Sequence, residues 1–137
     1  MKLFQDKIIE WFLRLVLSAG FLSATADRFG FWSKEISVWG NWDNFVAYTK
    51  ILNPIFPEKV IPILAYFATG LEIVLGFLLL ITFKTELIAK LSGLLLLLFG
   101  ISMFFSIGIK PALDYSVFTA SAAAFALSFI VQKKLNK

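Results

Sequence analysis

The sequence predicts an all-α fold: a polytopic membrane protein built as a bundle of four transmembrane helices, with an aromatic-rich interfacial segment between helices one and two. Three observations predict it. The 137 residues are 59% hydrophobic and 16% charged, with 16 phenylalanines and a mean hydropathy of +0.83, where ordinary globular chains are about 45–50% apolar and ~25% charged. A chain of this size cannot hide that much apolar surface in a core of its own, which excludes a water-soluble monomer. Four stretches approach the ~20 mostly apolar residues that a spanning helix requires. The segment between the first two stretches gathers Trp32, Trp39, Trp42, Phe45 and Tyr48, side chains that favour the membrane–water boundary. Residues 1–137 read as one domain.

The first span runs about Ile8 to Phe29. Lys2 and Lys7, an apolar stretch and Ala24-Thr25-Ala26 give it the outline of a signal peptide. Glu10 and Arg14 break the apolar core, however, so it is read as a retained helix. The second span runs about Val60 to Phe83, the third Glu86 to Ile109 and the fourth Leu113 to Gln132. In lipid the backbone must satisfy its own hydrogen bonds, so these are helices and not open strands. Lys84-Thr85 is a tight hairpin that makes spans two and three antiparallel neighbours. Lys110-Pro111-Ala112 is nearly as short, with Pro111 placed to open the fourth helix.

The first connection, about Gly30 to Lys59, is long, and long loops are often functional. Asn41 is placed to cap a short helix that ends before Asn53-Pro54, with Trp42, Phe45, Val46 and Leu52 near one face. Such a segment would cap the outer mouth of the bundle, with Trp39 and Trp42 at headgroup depth. A plain aromatic anchor belt accounts for the same residues. Orientation follows the excess of Lys and Arg. Eight lie on the side of the termini (Lys2, Lys7, Arg14, Lys84, Lys90, Lys133, Lys134, Lys137) and five on the other. Both termini are therefore expected in the cytoplasm, and the expected location is the cell inner membrane.

Composition also bounds the chemistry. The chain has no Cys and no His, which removes the usual ligands of zinc, iron–sulfur clusters and haem and excludes dithiol chemistry. The net charge of +4, in so apolar a chain, points to a membrane surface and not to nucleic acid. No glycine-rich phosphate loop, nucleophile elbow or metal-ligand spacing occurs. A catalytic activity is neither indicated nor excluded.

The polar residues inside the spans carry the functional signal. Glu72 sits near the middle of the second span, where an ionisable group is costly and marks a functional candidate. Its neighbours at helical spacing, Ala65, Ala68, Thr69 and Gly76, are small, so it faces other helices. In the first span Arg14, Ser18, Phe21, Thr25 and Arg28 form one mostly polar stripe. At 1.5 Å per residue Arg14 lies about 9 Å from the inner side and Glu72 about 16 Å, so a long Arg14 side chain is expected to meet Glu72. Glu72, Arg14, Ser18, Thr25 and Thr69 are thus one candidate polar site. It reads either as an ion pair that fixes register or as a carboxylate serving a proton or ligand. Lys90, near the inner end of the third span, reads as a snorkelling side chain. A second candidate lies at the outer mouth: Asp27, Arg28, Trp39, Trp42, Lys110, Asp114 and Tyr115, either a recognition site or a solvated rim. Ser116, Ala120, Ala124 and Ser128, with Ala122 and Ala123, and Gly93 and Gly100 in the third span, permit close helix approach.

Four segments together, LRLVLSAGFLSATADRFGFW, WGNWDNFVAYTKILNP, LAYFATGLEIVLGFLLL and GIKPALDYSVFTASAAA, resemble the DoxX-like small membrane proteins over nearly the whole chain. The resemblance implies a four-helix membrane bundle, with Glu72 and Gly76 in matching context and Arg14 as the matching arginine of the first helix. It further implies association with membrane redox systems, some of them quinone-linked. Without His or Cys, such a role requires quinone binding or a partner subunit. The first functional expectation is therefore a quinone-interacting or accessory subunit of a membrane redox system. A bound quinone or lipid is the expected small molecule, and a redox partner or a second copy of the chain the expected protein partner. A small proton-coupled transporter using Glu72 is the alternative, although no internal repeat relates the two halves. A non-catalytic scaffold is the third reading.

Overall fold

In the computed structural model, which describes residues 1–136 and all their side chains except those of Lys2 and Leu3, six α-helices and one 3-10 turn follow one another and no strand occurs among the described residues. Lys137 and the Lys2 side chain, both counted toward the inner charge, lie outside the described residues. Helix α1 spans Lys2–Arg28 and α2 Trp42–Leu52. The 3-10 turn Glu58–Val60 leads into α3, Ile61–Leu80. Then come α4, Thr85–Ile107, the short α5, Ile109–Asp114, and α6, Val117–Leu135. Among the described residues three helical runs are long and apolar enough to cross a membrane: Phe4–Arg28, Glu58–Leu80 and Thr85–Ile107. Phe12, Phe67, Phe77 and Phe105 stand exposed on them, as lipid contact requires.

The expected fourth span, Leu113 to Gln132, does not begin as one helix. Gly108, at φ +96°, ends α4, and Ser116, at φ +55°, separates α5 from α6. Pro111 sits inside the first turn of α5 and does not open the last long helix. Helix α6 is not among the three apolar runs, because Thr119, Ser121, Ser128 and Gln132, with Lys133 and Lys134 in its last turn, dilute its apolar content. The hairpin between α3 and α4 takes four residues, Ile81 to Lys84, and closes on Lys84 in the left-handed region at φ +41°.

Helices α1, α3, α4 and α6 pack as two close antiparallel pairs, α1 with α3 and α4 with α6. Small residues let each pair approach. A Cβ on Gly76 would lie 2.9 Å from the Leu22 side chain, and one on Gly100 would lie 2.7 Å from Phe118. Gly93 similarly receives the Phe125 ring, and Ser121 Oγ donates to its carbonyl at 2.8 Å. The glycines of α4 therefore accept aromatic rings of α6. The face of α6 that is buried is Ser121, Ala124, Leu127, Ser128 and Val131, rotated from the stripe through Ser116 and Ala120.

One end of the bundle holds the chain termini and the α3–α4 hairpin, and the other holds α2 and α5. Lys134 Nζ reaches Glu10 Oε2 at 2.6 Å and closes the termini end. The apolar core lies in that half: Leu17 and Phe21 meet Leu75, Leu79, Ile88, Ala89, Leu95, Ala124, Leu127 and Val131.

Arg14 belongs to the termini end and does not meet Glu72. It is fully buried. Its Nε donates to the Leu79 carbonyl at 2.7 Å and one terminal nitrogen to the Ile81 carbonyl at 2.6 Å. The other terminal nitrogen lies 3.3 Å from Glu10, and the guanidinium carbon stands 4.0 Å over the Trp11 ring. The last carbonyls of a helix have no partner within it, and a cation there also complements the helix dipole. Arg14 thus caps α3. The reason it misses Glu72 is register: with Ser18 set against Gly76, Arg14 lies one turn toward the termini and Glu72 one turn toward the loop end, about 12 Å apart at 1.5 Å per residue. Arg14→Leu should lower unfolding free energy in detergent by about 3 kcal/mol, since hydrogen bonds to a charged donor contribute roughly 1.5–3 kcal/mol each. Arg14→Lys, which cannot fork across two carbonyls, should fall between. An unchanged thermal midpoint for Arg14→Leu would remove the cap.

Candidate functional site

Glu72 projects from α3 into the bundle, buried to 3% exposure, and its partner is Arg28, the last residue of α1. One terminal nitrogen of Arg28 donates both to the Glu72 carboxylate and, at 2.8 Å, to Thr69 Oγ1. The lean of a helical side chain toward its own N-terminus brings Arg28 onto Glu72. Arg28 starts at the loop end and points back toward mid-span. The register agrees: Ser18 Oγ donates to the Gly76 carbonyl at 2.7 Å, which places Glu72 beside the last turns of α1. The expected contact between Glu72 and the polar stripe of α1 therefore exists, made by Arg28 in place of Arg14.

Of the expected interior group, Glu72 and Thr69 converge. Ser18 lies one turn away on the Gly76 carbonyl, and Thr25 bonds back to Leu22 in its own helix at 3.0 Å. Phe45 of α2 covers the guanidinium, with 3.7 Å from the guanidinium carbon to the ring centroid, and Trp39 stands at 5.2 Å. Two aromatic faces over one cation add attraction to the ion pair.

Asp27 fixes the segment that delivers Trp39. Its carboxylate accepts from the Ser37 hydroxyl and from the Val38 and Trp39 amides at 2.9 and 3.0 Å. Asn44 Nδ2 donates to the Trp39 carbonyl at 2.8 Å, while Asn41 caps α2 by accepting from the Asn44 amide. Gly30 and Gly40, both at φ +76°, bring the two ends of this segment together, so that a Cβ on Gly30 would lie 3.2 Å from the Gly40 carbonyl. Such backbone is open to glycine at no steric cost.

These contacts border an open-sided cavity of about 520 Å³ in the loop-end half of the bundle. Arg28, Glu72 and Asp27 form its polar end. Its walls are aromatic and apolar: Trp32, Trp39, Phe45, Tyr48, Phe99 and Met103 among them. Tyr115 and Val117 close the side toward α6. Burial, with Tyr115 nearby, holds the Tyr48 phenol above its ordinary pKa, so it presents a neutral hydroxyl. Among the described residues, two buried side-chain donors lack a hydrogen-bond partner, Arg28 Nε and Trp39 Nε1, and both residues line this cavity. No group of three or more Asp or Glu is placed to hold a metal ion among the described residues.

The outer-mouth group separates accordingly. Asp27, Arg28, Trp39 and Tyr115 line the cavity. Trp42 does not: it stacks on Phe29 at 5.8 Å and packs at a tilt against Tyr66 at 4.6 Å, because the first residue of α2 faces the end of α1 and the start of α3. Lys110 and Asp114, four residues apart on α5, pair with each other at 2.7 Å in the open. The wall residues Gly20, Ser23, Phe99 and Met103 were not singled out as site residues. They are apolar or small positions in apolar helices, and nothing in the sequence distinguishes them from packing.

No family model, curated protein or solved structure matches the chain.

The ion pair makes a definite mutational prediction. Removing one partner of a buried pair costs roughly 3–5 kcal/mol, so Glu72→Ala should lower stability in detergent by about that amount, and Glu72→Gln by less. The double change Arg28→Leu with Glu72→Leu should recover most of the loss. Thermal unfolding of the parent, Arg28→Leu, Glu72→Leu and the double variant reads the coupling, and strict additivity would mean that the pair contributes nothing.

Proposed function

We propose that the chain is a membrane-embedded ligand-binding protein of the DoxX-like kind, acting as a quinone-interacting or accessory subunit of a membrane redox system. The observation that carries the reading is the cavity itself. Small-molecule sites are typically concave, mostly apolar and furnished with a few fixed polar groups. Here an aromatic chamber of about 520 Å³ ends on a buried, clamped guanidinium. A quinone ring is flat, apolar on its faces and an acceptor at its oxygens, which suits stacking walls and hydrogen-bond donors. The chain brings no redox centre of its own in Cys or His, so electrons would pass through the bound quinone to a partner subunit.

In this reading α6 is the fourth span, because it runs antiparallel beside α4 from the loop end to the Glu10–Lys134 contact at the termini end. Helix α2 and the segment before it lie at the outer interface, and both termini are cytoplasmic in the cell inner membrane. The alternative, a proton-coupled transporter, draws on the depth of Glu72. It requires the Arg28 pair to open in each cycle, and it is favoured only if proteoliposomes show proton flux that Glu72→Gln abolishes.

Two measurements test the reading. Protein in nanodiscs titrated with a short-chain quinone should show saturable quenching of tryptophan fluorescence, with Trp32 and Trp39 at the cavity. Quenching that only tracks the quinone content of the bilayer would overturn it. For topology, a reporter fused at Lys137 should read as cytoplasmic, and a periplasmic signal would overturn the four-span arrangement.

A further inference from the structure

We propose that the cavity recognises a neutral oxygen acceptor on a membrane-dissolved molecule, which reaches it sideways from the bilayer between α1 and α6. The acceptor binds at Arg28 Nε and Trp39 Nε1. This rests on the ligand-binding reading above and adds the recognition chemistry and the route.

The donors come first. Arg28 Nε and Trp39 Nε1 are buried and unpartnered, on two side chains whose guanidinium and ring lie 5.2 Å apart. A buried donor without a partner is costly, and an oxygen acceptor brought into the chamber would relieve that cost at either of them. Charge then selects the ligand. The cavity is lined by one guanidinium and two carboxylates, Asp27 and Glu72. Arg28 is already neutralised by Glu72. Among the described residues no lysine lines the chamber, so a phosphate headgroup would meet a net negative wall.

The route follows from the small residues of α1. Gly20 and Ser23 line the cavity and are exposed, and a Cβ on Gly20 would meet nothing within 4 Å. Both lie inside Phe4–Arg28, a run apolar enough to cross a membrane, so this side of the chamber faces lipid and not water. Trp32 folds back along α1, its Nε1 donating to the Ser23 carbonyl at 3.2 Å, and roofs the opening. The core that joins α1 to α6 lies at the termini end and leaves this half of the cleft free.

The test uses the full chain in phosphatidylcholine nanodiscs doped separately with a short-chain quinone, diacylglycerol or phosphatidylglycerol, with retained molecules counted by native mass spectrometry. Diacylglycerol shares the neutral oxygen but not the ring. At least one neutral molecule should be retained and phosphatidylglycerol should not be enriched. Trp39→Phe keeps the ring and removes the donor, and should weaken retention about fivefold, the equivalent of one hydrogen bond. Gly20→Leu fills the opening and should weaken it about tenfold or more, while Gly20→Ala stays near the parent. Enrichment of phosphatidylglycerol, or retention of a neutral molecule unchanged in both Trp39→Phe and Gly20→Leu, overturns the inference. Retention of diacylglycerol but not quinone, lost in both variants, upholds the recognition and route and overturns the quinone reading. Retention of quinone unchanged in both variants does the reverse. Retention of neither overturns both.

Discussion

The Arg28 guanidinium is a cation buried to 3% exposure where α1, α2 and α3 meet, and it has to be neutralised and solvated by the protein. An unpaired charge in such a place is prohibitive. Glu72 supplies the counter-charge, Thr69 a hydroxyl, and Phe45 and Trp39 their ring faces. Each partner comes from a different part of the chain, so satisfying this one group fixes the register of α1 against α3 and seats α2 over the end of the bundle. Asp27, the neighbouring residue, is satisfied in turn by the segment that carries Trp39.

The two arginines of α1 do the same kind of work at opposite ends. Both lean toward the helix N-terminus, and each meets the part of α3 that the antiparallel register brings within its reach. For Arg14 that part is the open carbonyls of α3. For Arg28 it is mid-span and Glu72. Guanidinium suits both tasks because its rigid fork can serve several acceptors at once.

The halves of the bundle are unequal for a packing reason. Leu17, Leu75, Leu79, Leu127 and Val131 fill the termini half. Toward the loop end α1 presents Gly20, Ser23 and Ala24, which have too little volume to close the gap to Phe99 and Met103. The space stays open because the walls are themselves held. Arg28 is clamped, Trp39 is tethered through its backbone, and Gly100 lets Phe118 of α6 sit tightly against α4. A cavity bounded by rigid, paired groups cannot collapse as a loosely packed one would.

What the sequence alone determined here is what composition and period control. The apolar runs force helices, because lipid leaves the backbone no other partner. The isolated Glu72 on a small-residue face forces that residue inward. Asn41 ahead of Trp42 sets a helix start through local hydrogen bonding. The partner of Glu72 was decided by tertiary structure: depth counted along separate helices favours Arg14, whereas side-chain lean and the antiparallel register deliver Arg28. The same holds for the outer group, where Asp27, Arg28, Trp39 and Tyr115 share a cavity while Lys110 and Asp114 satisfy each other on α5. The break at Ser116 was equally hidden, since a left-handed serine leaves no periodic signature. Which donors remain unpaired once the helices have packed is settled only by contacts distant in sequence.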